Sequence, residues 1–445
     1  MLTVIVLSSF SHVHAQELAA GDSLQARIGT IDQQVKTQSR LIENLKDDLA
    51  TKDTTLPKVQ AGIGGFQIQT YDGSYTLKIK GLLQSEGLFF TEDKYQRAFT
   101  NTLKVRRARL SVEGSLGKNF EYRIQPEFAG IPGILDGYID GKVVPEFNVR
   151  IGKFRPFIGL EGIQPSYRTV FAEQGLVSGF APSRDVGAQL QGIIGDGLAE
   201  YELGYFNGAA DAANNDGDYA DSKSGAGRVV IAPLKPTGID ALVGLAVGFS
   251  GSYSFDEVDT NVLPKYKTAA GTKYFGLDSA VAKGDFARYA PNVSWYVGPV
   301  GLQYEYFFNW YAVKGVGVKN GSASGKFVNR AWQVVASVIL TGEDEVFKGF
   351  KVRHPLNPST GDFGAIELGL RTDGVYTDGK LFDQKLASAK SSAGQVFAWG
   401  SGLNWYPSNN IRVTIDYDQT RLFGRTSAFS KPDEDLTTIS FSTAF

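Results

Sequence analysis

The chain has 445 residues, no cysteine, and 45 basic against 47 acidic residues for a formal net charge of −2. That balance excludes the broad positive field of a nucleic-acid binder, and the missing thiols exclude a disulfide framework or a thiolate metal site. No stretch approaches the ~20 consecutive apolar residues of a membrane helix, while 52 glycines and 12 % aromatics suit strands that show lipid only every second residue.

The first segment reads as an export signal over residues 1–15. Leu2–Phe10 is a short apolar core, and Val13-His14-Ala15 is a cleavage site before Gln16, although a basic start is missing. Residues 18–52 differ in composition. Leu24, Ile28, Ile31, Val35, Ile42, Leu45 and Leu49 are spaced alternately by four and three, with Gln38 in the one polar slot. This heptad seam predicts a helix that pairs with copies of itself as a periplasmic coiled coil; a single helix lying on a surface is the competing reading. Residues 53–74 read as a linker, because Pro57 and nearby glycines stop a helix.

From 75 to 445 the period changes to two. Ala108, Leu110 and Val112 share one face and Arg107, Arg109, Ser111 and Glu113 the other. Leu302, Tyr304, Tyr306, Phe308 and Trp310 alternate with Gln303, Glu305 and Asn309, and Ile411, Val413, Ile415 and Tyr417 with Arg412, Thr414, Asp416 and Asp418. Roughly 16 such segments occur, an even number as closed bacterial barrels require. They begin near Tyr75, Leu103, Asn119, Gly133, Pro145, Arg184, Leu198, Gly227, Ala241, Phe286, Val300, Asn329, Phe363, Gln395, Asn410 and Leu436. The predicted fold is an all-β transmembrane barrel of antiparallel strands with an N-terminal helical coiled coil. Short and long joints alternate: 116–119, 298–299 and 407–410 are tight, whereas 207–225, 256–285, 315–326 and 377–394 are long and polar. A barrel of this size is expected to leave an aqueous lumen rather than a packed core.

Catalytic signals are poor. The histidines are His12, His14 and His354, the first two inside the export segment, so no His cluster can serve a metal or a nucleophile. No cofactor is expected, and Asp211–Asp221 lacks the terminal Glu of a calcium loop.

If apolar positions face lipid, the phase sends Lys78, Lys80, Arg107, Arg109, Arg123, Arg150, Arg228, Arg288, Arg371 and Arg412 inward as a candidate anion pathway. Guanidinium suits it because its planar fork meets phosphate oxygens and stays charged at any working pH. Glu113, Glu121, Glu127, Asp136, Asp140, Glu200, Glu202, Glu305, Glu367, Asp416 and Asp418 share the phase, so a wall neutralised by cross-strand pairs competes with an anion ladder. Arg106 is phased outward. The long joint 156–183 carries Phe157, Tyr167, Phe171 and Phe180, too apolar for a loop wholly in water. Folding inward would place Lys153, Arg155, Arg168 or Arg184 at a constriction; packing on a neighbouring subunit is the alternative. Glu161 and Asp185 are candidates to hold it.

Several fragments occur in order: Val105-Arg106-Arg107-Ala108-Arg109-Leu110, then Ile151 to Glu161 (IGKFRPFIGLE), Ser183-Arg184-Asp185-Val186-Gly187, Leu340-Thr341-Gly342-Glu343, Gly364-Ala365-Ile366-Glu367-Leu368 and Leu403-Asn404-Trp405-Tyr406-Pro407. Through them the chain resembles the phosphate-selective porin O and P family. The resemblance implies a 16-stranded homotrimeric porin in a Gram-negative outer membrane, contacting its lipid and passing inorganic phosphate, polyphosphate or related anions. A general-diffusion porin of the same fold, or a structural outer-membrane anchor, are the other readings.

Overall fold

A computed structural model describes residues 25–47, 56–62, 64–91, 99–217, 223–260, 263–316 and 324–445. The expected export segment 1–15 lies outside the described residues. Residues 25–47 form a helix, α1, and the seam side chains Ile28, Ile31, Val35, Ile42 and Leu45 are each more than half exposed along it. Within the stretch read as linker, β1 (Lys58–Gly62) and β2 (Gly65–Gln69) pair as a short hairpin.

The barrel begins with β3 (Thr76–Phe90), β4 (Thr102–Leu116), β5 (Phe120–Glu127), β6 (Gly133–Val144) and β7 (Phe147–Phe154). It continues with β8 (Asp185–Ile194), β9 (Ala199–Phe206), β10 (Ser224–Ile231), the one-turn helix α2 (Asp240–Val243) and β11 (Leu245–Thr260). A separate hairpin, β12 (Lys265–Lys267) with β13 (Lys273–Gly276), precedes β14 (Ala280–Val297), β15 (Val300–Gly315) and β16 (Ser324–Ile339). Last come β17 (Ala365–Tyr376), the short helix α3 (Lys380–Asp383), β18 (Gln395–Ser408), β19 (Ile411–Phe423) and β20 (Glu434–Ala444). Each strand pairs antiparallel with the next, and β20 returns to β3 from Leu436↔Phe90 to Ala444↔Leu82, closing a barrel of 16 strands. Closure leaves no unpaired strand edge for hydrocarbon to meet. The predicted strand starts fall close to the observed ones, the widest gap being Phe286 against Ala280.

Side-chain parity explains why the sheet closes this way round. Ile124, Ile139, Ile151, Leu203, Phe249, Leu302, Leu370, Leu403, Ile415 and Phe441 are exposed on the outside. Their neighbours Gln189, Ser250, Asn292, Glu305, Asn309, Gln333, Asn404, Thr414 and Ser440 are buried inside. An apolar exterior over a polar interior is the reverse of a water-soluble fold and the arrangement lipid demands.

Three expectations need correction. First, part of the interior is dry rather than aqueous. Inward Phe307, Tyr311 and Phe327 pack with Phe180 of the 156–183 loop, Tyr266, Tyr274 and Phe275 of the β12–β13 hairpin, and Leu381 of α3. Inward phenyl groups on β15 and β16 are hidden in sequence because Phe307 sits in an aromatic run on both parities. Second, the joint 340–364 between β16 and β17 is long although it lies at the end of the barrel with the tight turns; Val352 N donates to Asn409 Oδ1 in the 409–410 turn. Third, Arg106 points inward. Gln84 faces Arg107 and Ser85 faces Val105, so Arg106 is the extra residue of a β-bulge that reverses the parity of β4.

Candidate functional site

The 156–183 loop, between β7 and β8, runs through the barrel interior. Its backbone is held by side chains from across the lumen. Arg107 donates to Ala172 O at 3.3 Å, Arg371 to Glu173 O at 2.8 Å, Asn404 to Val170 O at 2.7 Å and Asn309 to Phe180 O at 2.8 Å. Arg412 donates to Thr169 O, and Asp416 accepts from Ala172 N at 2.8 Å. Inward guanidinium groups therefore satisfy loop carbonyls that would otherwise be buried without partners. The loop closes on itself as well, since both oxygens of Glu161 accept from Gly175 N, at 2.9 and 3.0 Å.

Charge divides along β4 at the bulge. Above it, Glu173 of the loop meets Arg106 through two hydrogen bonds, the longer 3.0 Å, with Lys104 at 3.5 Å and Arg107 at 3.9 Å. Burial alone would raise the Glu173 carboxyl, but the charge and hydrogen bonds of Arg106, then the charges of Arg107 and Lys104, bring its pKa down to about 2. These cations are neutralised by the loop.

Below the bulge most cations meet carboxylates on neighbouring strands, and Arg155 does not. The loop, β3–β7, the C-terminal end of β20 and Asn409 line a cavity of about 420 Å³ that holds Lys80, Arg109, Arg123, Arg150, Arg155, Arg168 and Arg184, with Asp136 as its lining carboxylate. Register sets the pairing of the strand arginines. Arg109 lies opposite Glu127 and bonds it at 2.7 Å; Arg150 lies opposite Asp140 and bonds it at 2.7 and 2.8 Å. Arg123 is 3.8 Å from both Glu113 and Asp136, Arg184 is 3.2 Å from Asp136, and Lys80 pairs with Glu113. Arg168 donates to Asn409 O at 3.1 Å and stands over the Tyr167 ring. Gly349 of the 340–364 joint (φ +87) is pressed against the Arg168 stem, where a Cβ would come within 2.5 Å.

Arg155 has neither an ion pair nor a hydrogen bond among the described residues. Burial and the neighbouring charge of Arg184 push its pKa down, Asp136 opposes them, and Arg109 and Arg107 add to the repulsion. Guanidinium stays protonated in proteins, so the direction reports a charge held away from water among like charges rather than a neutral arginine. An anion in the cavity would relieve it.

Of the residues singled out from sequence, Lys80, Arg109, Arg123, Arg150, Arg155, Arg168 and Arg184 share this cavity. The others lie elsewhere. Arg107, Arg371 and Arg412 bind the loop; Arg371 also meets Asp418 at 2.8 Å and Asp373 at 3.3 Å. Arg288 is sealed against Asp211 at 2.6 Å, Arg228 pairs with Glu202 at 3.1 Å, and Lys153 bonds Ile134 O at 2.6 Å and Asp216. Lys78 is half-buried opposite Glu113 and does not line the cavity. Sequence reasoning missed Tyr138 and Ser166 on the lining; Ser111 and Gln125 share the phase of the arginines and were placed on the polar face without a role.

A family profile described as Phosphate-selective porin O and P matches residues 86–442, most of this barrel. The chain belongs to that family. The porin is 24 % identical to Porin O of Pseudomonas aeruginosa over 391 residues, which is 80 % of this chain and 85 % of that one. Among solved structures, the porin superimposes on the outer membrane channel DcaP of Acinetobacter baumannii with a TM-score of 0.54 at 11 % identity, covering 86 % of this chain and all of that one. It also superimposes on a loop-deletion form of OmpT from Vibrio cholerae, with a TM-score of 0.51 at 13 % identity, covering 84 % of this chain and 100 % of the other. Both comparisons concern the fold alone. Family and fold together place the porin in the outer membrane of a Gram-negative bacterium.

Proposed function

We propose that this porin is a passive, non-enzymatic channel that prefers anions, with inorganic phosphate or polyphosphate as the favoured solute. The observation that carries the reading is Arg155: a guanidinium without a partner among the described residues, in a cavity with six other cationic side chains and one lining carboxylate. Rings of Arg and Lys are the device of anion and phosphate pores, and several weak sites let the ion leave again. Membership of the family and the likeness to Porin O support phosphate over other anions. We further propose a homotrimer whose α1 helices associate through their exposed heptad seam.

Reversal potentials in a salt gradient across a planar bilayer test the anion preference, and block of chloride current by inorganic phosphate tests the solute. Anion preference is expected, with phosphate block weakened about tenfold in Arg155→Ala, the worth of one charge-assisted hydrogen bond of about 1.5 kcal/mol. Cation preference would instead favour a general-diffusion porin, the second reading, which the cross-strand pairs Arg109–Glu127 and Arg150–Asp140 support.

A further inference from the structure

The cavity has two unlike walls. The strand wall presents Arg109, Arg123 and Arg150. The loop wall presents Phe157, Ile163 and Tyr167, all half-buried, beside Gln164, Ser166 and Arg168, whose guanidinium stands over the Tyr167 ring. Arg155 stands where the two walls meet, at the end of β7. A bare inorganic ion gains nothing from the apolar wall, and leaving that wall against water has a cost proportional to its area. Elsewhere inside this barrel, apolar loop side chains are buried against other apolar groups, as Phe180 is against Tyr266 with ring centroids 4.2 Å apart. At about 420 Å³ the cavity lies within the roughly 300–1,000 Å³ of sites that hold small organic ligands.

We infer that the cavity is a binding site for a small organic phosphate, an anionic head on an apolar or aromatic body, with the head at Arg155 and the body against Phe157, Ile163 and Tyr167. The inference rests on the anion-site reading above and narrows its substrate class. The head is met by the strand guanidiniums, and the body covers the loop wall. Rings already stack with cations at this site: the Arg150 guanidinium lies 4.0 Å from the Tyr138 ring centroid. A solute ring can therefore take up the same kind of contact.

The test is block of chloride current through the full-length porin in planar bilayers by phenyl phosphate and by inorganic phosphate, compared at the same pH. Burying roughly 60 Å² of ring face at about 25 cal/mol per Å² predicts that phenyl phosphate blocks at about tenfold lower concentration. In Phe157→Ala that ratio is expected to fall to about two, and Ile163→Ser serves the same comparison should the first variant fail to assemble. Equal block by the two solutes in the native channel would overturn this inference while leaving the phosphate reading intact. Absence of block by either would overturn both. Block by phenyl phosphate alone would support the apolar wall and remove inorganic phosphate as the favoured solute.

Discussion

Replacing Glu173 by Gln should make the porin more anion-preferring and less stable at once. The amide keeps the shape of the carboxylate but removes the charge that neutralises Arg106, Lys104 and Arg107. The magnitude follows from linkage. A carboxyl held at about 2 rather than the ordinary 4.5 contributes at most ~3 kcal/mol to the folded state at neutral pH, because the like charge of Glu86 beside it opposes. Because the Arg106 side chain is 36 % exposed, breaking the pair should cost less than the roughly 3–5 kcal/mol of a fully buried one. Because the folded-state pKa is depressed, this stability is fully present above pH ~4.5 and is lost as pH falls toward 2. The native porin should therefore lose stability across that window, and Glu173→Gln should lack that component. The assays are the urea midpoint of the folded barrel as a function of pH, and the reversal potential in a salt gradient. A variant with native stability at pH 7 and an unchanged reversal potential would refute the division of charge at the β4 bulge.

Arg109→Ala should reduce anion preference, since it takes a cation from the cavity and leaves Glu127 without it; reversal potentials check this. Arg107→Ala should act chiefly on stability, by about 1–3 kcal/mol, because that side chain bonds Gln84 and the Ala172 carbonyl rather than the cavity; the urea midpoint reads it. Gly369→Ala would bring a Cβ within 2.2 Å of Val170, so the loop should shift and single-channel conductance should change with the barrel still folded. Val35→Cys places one thiol on the α1 seam of a chain that has no other, so oxidation should yield a covalent dimer on a non-reducing gel. Only monomer would count against self-association of the helix. Deleting residues 18–52 should leave a conducting barrel.

Much of the barrel was legible because a strand between oil and a polar interior repeats every two residues, and that period survives in a single sequence. The inward phase of Arg109, Arg123 and Arg150 was readable for this reason, as were their acidic neighbours across the strands. Arg106 was not, because a bulge inserts one residue without any mark in composition and reverses parity beyond it. The dry cluster around Tyr266, Tyr274 and Phe275 was also hidden, since a loop hairpin turning back into a barrel has no periodic signature.

The sequence by itself determined the closed sheet, its strand order and, the bulged Arg106 apart, the strand cations that face inward, since each follows from local alternation between neighbouring residues. Only the tertiary structure decided which of those cations remain available to a solute. Arg107, Arg371 and Arg412 are taken up by carbonyls of a loop far away in the chain, and Arg155 is left without a partner among the described residues. The reason is physical: charge compensation acts over a few ångströms of space, and the loop that supplies or withholds it crosses the lumen to strands more than two hundred residues distant, as Arg412 on Thr169 shows.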